Sequence, residues 1–148
     1  QLACGETSDA YRQLVLEDQS VEFVAAETSM NRDPSSIDIY TRVKDPAKID
    51  EVRKQLEATI ERFQTEVPSR EAVDAVKSNI RYNFLMNLDT PSAVAGGMAR
   101  LLAVTGRFDS VEDMLRTLDA VEPEDVREAA RTYLQSQRRT VAVLEGAS

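Results

Sequence analysis

The groups able to do chemistry in this chain are carboxylates, one thiol and scattered arginines, and there is no histidine. Three adjacent acidic pairs stand out: Glu17-Asp18, Glu112-Asp113 and Glu124-Asp125. Two carboxylates can divide acid and base work when they flank one bond. Neighbours on a helix point about 100 degrees apart, so the two members of each pair are badly placed for it. Each pair reads instead as a solvated face, or as first-turn acids complementing a helix dipole. Arg81-Tyr82 has the residue types that anchor interfaces, but the simpler reading is a surface arginine beside a half-buried tyrosine. Arg138-Arg139 reads as a solubilising pair flanking a strand. Gly96-Gly97, followed by Met98, lacks the preceding strand and the GxxxxGK[ST] or GxGxxG spacing that cradles phosphate. Close helix packing is the role expected of it.

The missing histidine excludes more than any motif suggests. Histidine is the commonest metal ligand and the side chain best matched to proton transfer near neutral pH. Without it a Ser-His-Asp or Cys-His arrangement is impossible. A zinc site would need Cys, Asp and Glu alone, and Cys4 is the one cysteine. No catalytic, cofactor-binding or metal-binding residue is therefore expected in this chain. A lone cysteine forms no intramolecular disulfide, which suits a reducing compartment without excluding an oxidising one. The run Leu2-Ala3-Cys4-Gly5 lacks the apolar segment that precedes a lipid-attachment cysteine, so Cys4 reads as a small residue in a turn.

The formal net charge is -8. With basic residues scattered among acids rather than striped, a nucleic-acid partner is not expected. No apolar run approaches the ~18 residues of a membrane span, and no signal-peptide pattern opens the chain. The sequence reads as soluble, with its compartment left open. It begins at Gln1 without a methionine, from which a processed chain or a fragment of a longer one is expected. With 148 residues, 42% of them hydrophobic, it can bury one core. Residues 1–148 are read as a single half-domain.

The elements follow from periodicity. Ser8 is placed to cap a first helix through Ala10, Tyr11, Leu14 and Val15, fading near Asp18. Val21 to about Met30 has strand character. In the next segment Ile37, Ile39, Thr41 and Val43 alternate with Asp38, Tyr40, Arg42 and Lys44, the period of a strand with one buried face. Turn residues Asn31 to Ser35 between them make an antiparallel hairpin. Asp45-Pro46 then opens a long helix with Ile49, Val52, Leu56, Ile60 and Phe63 on one face. Pro68-Ser69 ends it, and a second long helix carries Val73, Val76, Ile80 and Phe84. Thr90-Pro91 starts a third, with Val94, Met98, Leu101 and Leu102. Ser110 with Asp113 resembles a capping box opening a shorter helix through Met114, Leu115 and Leu118. Pro123 starts a last one, with Val126, Ala129, Ala130, Tyr133 and Leu134 apolar. Thr140 to Leu144 reads as a closing strand. Strands clustered apart from helices predict an α+β fold, with helices packed on one face of an antiparallel sheet. Three strands are few, and the sheet reads as half of a larger one.

This order of elements resembles the second half of a domain of the insulinase-like (pitrilysin) zinc metallopeptidases. The resembling stretches are Ser8-x-x-Tyr11-Arg12-x-Leu14-Val15-x-Glu17-x-Gln19, Arg32-Asp33-Pro34 between the strands, and Ala75-Val76-Lys77-Ser78-Asn79. They continue in Val121-Glu122-Pro123-Glu124-Asp125-Val126 and Arg138-Arg139-Thr140-Val141, so the likeness runs from Ser8 through Leu144. The resemblance implies an α/β sandwich in which two half-domains complete one sheet, and a peptide-binding chamber between two such lobes. It implies zinc in the parent protein, held in the other half by an H-x-x-E-H motif and a downstream glutamate that this chain lacks. The partners it implies are the rest of the parent chain and a peptide substrate. An arginine and a tyrosine that reach the substrate in the family's non-zinc lobe fall here at Val15 and Glu22, which places the chain closer to the zinc-bearing lobe. The expected function is thus a non-catalytic half-domain of a zinc metalloendopeptidase. A half-domain of a catalytically inactive relative acting as scaffold or processing subunit stays open, as does a free-standing α+β interaction module.

Overall fold

The computed structural model of the chain describes residues 1–29, 31–33 and 35–145. Met30 and Pro34, in the expected hairpin turn, and residues 146–148 lie outside that range. A short helix α1 (Asp9–Tyr11) widens into a π-helical stretch (Arg12–Glu17). Strands β1 (Val21–Thr28) and β2 (Ile37–Val43) follow. Then come a 3-10 turn (Pro46–Lys48) and helices α2 (Ile49–Thr65), α3 (Arg70–Met86), α4 (Pro91–Thr105), α5 (Ser110–Ala120) and α6 (Pro123–Tyr133). The fold is α+β, and among the described residues the sheet is a two-stranded antiparallel hairpin. The chain forms two compact units, one of Gln1–Glu27, Asp38–Pro68 and Pro123–Ser148, the other of Thr28–Ile37 and Ser69–Glu122.

In the first unit the Ser8 hydroxyl accepts the Tyr11 amide at 3.1 Å, as expected of a cap. The helix ends at Asp18, and Gln19 takes a left-handed φ of 49° to send the chain into β1. A non-glycine residue there costs roughly 1–2 kcal/mol. The bend is held by Ser20, whose amide and hydroxyl both donate to the Leu14 carbonyl, at 3.0 and 3.3 Å. In β2 the expected alternation holds for Ile39, Thr41 and Val43, which are half-buried between exposed neighbours, while Ile37 is exposed. In β1, Val21 and Val24 are both buried, and Phe23 meets Tyr40 edge-on and lies under Arg42.

Helix α2 begins as its residues demand, with the Asp45 carboxylate accepting the Ala47 amide at 3.0 Å ahead of a first-turn proline. Its Val52 joins Leu14 and Val21 in the core, with Val15, Val43 and Leu56 packed around them. Removing a Leu14-sized side chain from water contributes about 1.5–3 kcal/mol. Helix α6 packs on α2 through Ala130, with Val126 and Leu134 half-buried. Ala129 and Tyr133, expected on the same stripe, are exposed.

The second unit has a thinner core of Val73 and Leu101, with Ser110 also buried. Ser69 and Thr90 cap α3 and α4 by accepting the amides of Ala72 and Ala93. Gly106, at φ 73°, ends α4 in the left-handed conformation that suits glycine. On α3, Val76 and Phe84 are half-buried but Ile80 is exposed.

Three sequence expectations are corrected. Ser110 is not a cap: Asp109 occupies that position, and the Ser110 hydroxyl instead donates to the Arg107 carbonyl at 2.7 Å and meets Thr105. Asp113 pairs with arginines rather than closing a capping box. Of the two glycines expected at a close helix contact, a side chain at Gly97 would just touch Leu88, and one at Gly96 would meet nothing within 4 Å. The closing strand is absent: Thr140 to Leu144 joins no sheet, and Val141, Val143 and Leu144 are exposed. A strand satisfies its backbone only against a neighbouring strand, so apolar β-branched residues alone do not make one.

Candidate functional site

The acidic pairs are spent on local structure. Asp18 accepts the Gln13 and Gln55 side-chain amides at 2.9 and 3.4 Å, while Glu17 is exposed. Asp113 pairs with Arg107 and with Arg116, both at 3.1 Å, and Glu112 is exposed. Glu124 and Asp125 are exposed acids in the first turn of α6. Among the described residues no group of three or more His, Cys, Asp or Glu side chains could hold a metal ion.

Arg81 is held by Asp119 at 2.5 Å. Tyr82, expected to be half-buried, is 62% exposed, because α3 is covered mainly at its Val73 end. Cys4 is buried, and burial pushes its thiol above the usual range, which lowers the fraction of reactive thiolate. Val15 packs against the first core, and Glu22 pairs with Arg42 at 3.0 Å.

Sequence reasoning missed Glu57. Its Oε1 atom accepts the Nε of Arg53 at 2.8 Å and the Nη2 of Arg139 at 3.0 Å. The Arg53 hydrogen bond, with the charges of Arg139 and Arg53, outweighs desolvation and holds the Glu57 carboxyl below its ordinary range. Arg139 is thus no mere solubilising residue. The i,i+4 spacing of Arg53 and Glu57 is readable from the chain; the partnership with Arg139, far along the sequence, left no local trace.

The first unit also carries exposed apolar side chains. Its 140–144 segment presents Val141, Val143 and Leu144, the last 98% exposed, outside any sheet. No helix among the described residues is long and apolar enough to cross a membrane.

Comparison with solved structures places this architecture. The chain superimposes on a protease from Helicobacter pylori with a TM-score of 0.76, at 18% identity, over 93% of its own length and 33% of that chain. The fold is one that a protease also uses. A conserved protein from Enterococcus faecalis V583 matches with a TM-score of 0.71, at 13% identity, over 88% of this chain and 30% of that one. The chain therefore spans about a third of the length of each of these neighbours. No protein-family model matches the chain, and no curated protein matches it.

Proposed function

We propose that this chain is a non-catalytic half-domain of a zinc metalloendopeptidase of the insulinase-like (pitrilysin) type, completing a sheet and walling a peptide-binding chamber. The observation that carries the reading is the partial match itself: nearly all of this chain corresponds to one third of a protease. Two features support it. Among the described residues the sheet has two strands, and an apolar segment with no secondary structure of its own stands outside it, as suits a sheet completed by other strands. The residues of this chain also do not fit a zinc site: there is no histidine and one cysteine, and Cys4 is buried with its thiol pushed up. In this reading zinc and the proton-transferring groups belong to the other half of the parent lobe.

The test is the sequence of the intact native protein around this segment. An H-x-x-E-H motif followed by a glutamate in the adjoining half is the expected result. A parent with no such motif anywhere overturns the enzymatic reading and leaves a scaffold or processing subunit. The isolated chain is expected to cleave no peptide, and chelator-sensitive turnover by it would contradict the proposal directly.

A further inference from the structure

We propose that Glu57 is the clasp of a strap that lays residues 134–139 along α2 and sets the direction taken by the apolar 140–144 segment. Two contacts define the strap. The Gln64 side-chain amide donates to the Leu134 carbonyl at 2.7 Å, and Glu57 receives Arg139 at 3.0 Å. Gln64 and Glu57 are about two turns apart on one helix, hence on nearly the same face. As the chain passes from Leu134 to Arg139 its anchor points pass from Gln64 back to Glu57, so it runs antiparallel to α2.

The path between the anchors is stiffened by a 3-10 turn, Ser136–Arg138, whose Arg138 amide donates to the Gln135 carbonyl at 3.0 Å. Glu57 is prepared for its role by Arg53, one helical turn before it, which fixes the carboxylate by its own hydrogen bond to the same oxygen. The Glu57 and Arg139 side chains are 27% and 34% exposed, less than those of Arg62 and Asp9, another pair involving α2, at 42% and 60%. Beyond Arg139 the described chain enters no further helix or strand. The clasp therefore decides where Val141, Val143 and Leu144 point. This inference stands apart from the metallopeptidase reading and concerns the chain by itself.

The experiment is backbone ¹⁵N relaxation on the full 148-residue chain, comparing wild type with Glu57→Ala, Arg139→Ala and, as a control on the same helix, Arg62→Ala. In wild type the order parameters of Thr140 to Ala142 are expected to stay above the flexible range, which begins below about 0.6. Both clasp variants are expected to drop them below that value while α2 amides stay near about 0.85, and Arg62→Ala to leave the tail unchanged. Tail residues already flexible in wild type, unaltered by Glu57→Ala, or loosened equally by Arg62→Ala would overturn the clasp. Because α2 is read in the same spectra, a variant that merely unfolds is recognised, and Arg139→Ala then carries the test from outside the helix.

Discussion

The carbonyl of Leu14 accepts two hydrogen bonds from Ser20, one from its amide at 3.0 Å and one from its hydroxyl at 3.3 Å. Both residues are buried, Leu14 at 1% exposure. The pair closes the wide turn of the π-helical stretch and delivers Val21 into the same core as Leu14. Two substitutions separate the parts of this arrangement. Leu14→Ala empties the core and is expected to cost about 2–5 kcal/mol. Ser20→Ala leaves the amide bond in place and is expected to cost about 1 kcal/mol. Urea unfolding checks both, through a lowered midpoint at unchanged slope; a Ser20→Ala cost equal to that of Leu14→Ala would mean the hydroxyl, not the packing, holds the turn.

That turn also marks where the sequence was readable. Ser8, Asp45 and Thr90 announce helix starts because each cap acts on amides within its own first turn. The face of α2 was legible for the same reason, since its period is set along one helix. The 140–144 segment misled, because a strand depends on a partner and nothing local reveals whether one is there. Ser110 misled because its hydroxyl found a nearer carbonyl in the loop before α5. Glu57 went unnoticed because the residue that gives it meaning, Arg139, lies in a different part of the chain.

Acid should weaken the fold through two carboxylates. Asp109 is held below the ordinary range chiefly by its hydrogen bond from Arg107, and Glu57 chiefly by its bond from Arg53. A carboxyl whose folded value is depressed contributes stability that is fully present above its unfolded value and is lost as pH falls through the folded one. Stability is therefore expected to be level from neutrality down to the ordinary carboxylate range, about pH 4, and to decline below it. Thermal melting in a pH series should show Asp109→Asn and Glu57→Gln each with a shallower decline than wild type. Curves that stay parallel to wild type would assign the acid loss to other groups.

The exposed 140–144 segment is expected to matter little to this chain's own stability. Val143 is 53% exposed and in no sheet, so Val143→Ser is expected to shift the unfolding free energy by no more than about 0.5 kcal/mol. If the segment completes a sheet in the parent protein, the same substitution there buries an unfavourable hydroxyl and lowers the parent's melting temperature. Melting both proteins tests this; an equally stable parent would remove the 140–144 segment from the proposed sheet.

Two glycines in α4 and at its end make the sharpest comparison, because one substitution should act with opposite signs. Gly96 sits in the interior of the helix, and a methyl group there meets nothing within 4 Å. Alanine restricts the unfolded chain and suits the helix, so Gly96→Ala is expected to stabilise by about 0.4–1 kcal/mol. Gly106 also has open space around it, but its φ of 73° is left-handed. Gly106→Ala is therefore expected to destabilise by about 1–2 kcal/mol from backbone strain alone. Asparagine tolerates that conformation better, so Gly106→Asn should recover part of the loss. Chemical denaturation of the three variants decides the point. Equal effects of alanine at the two sites would show that neither helix geometry nor the left-handed turn governs this end of α4.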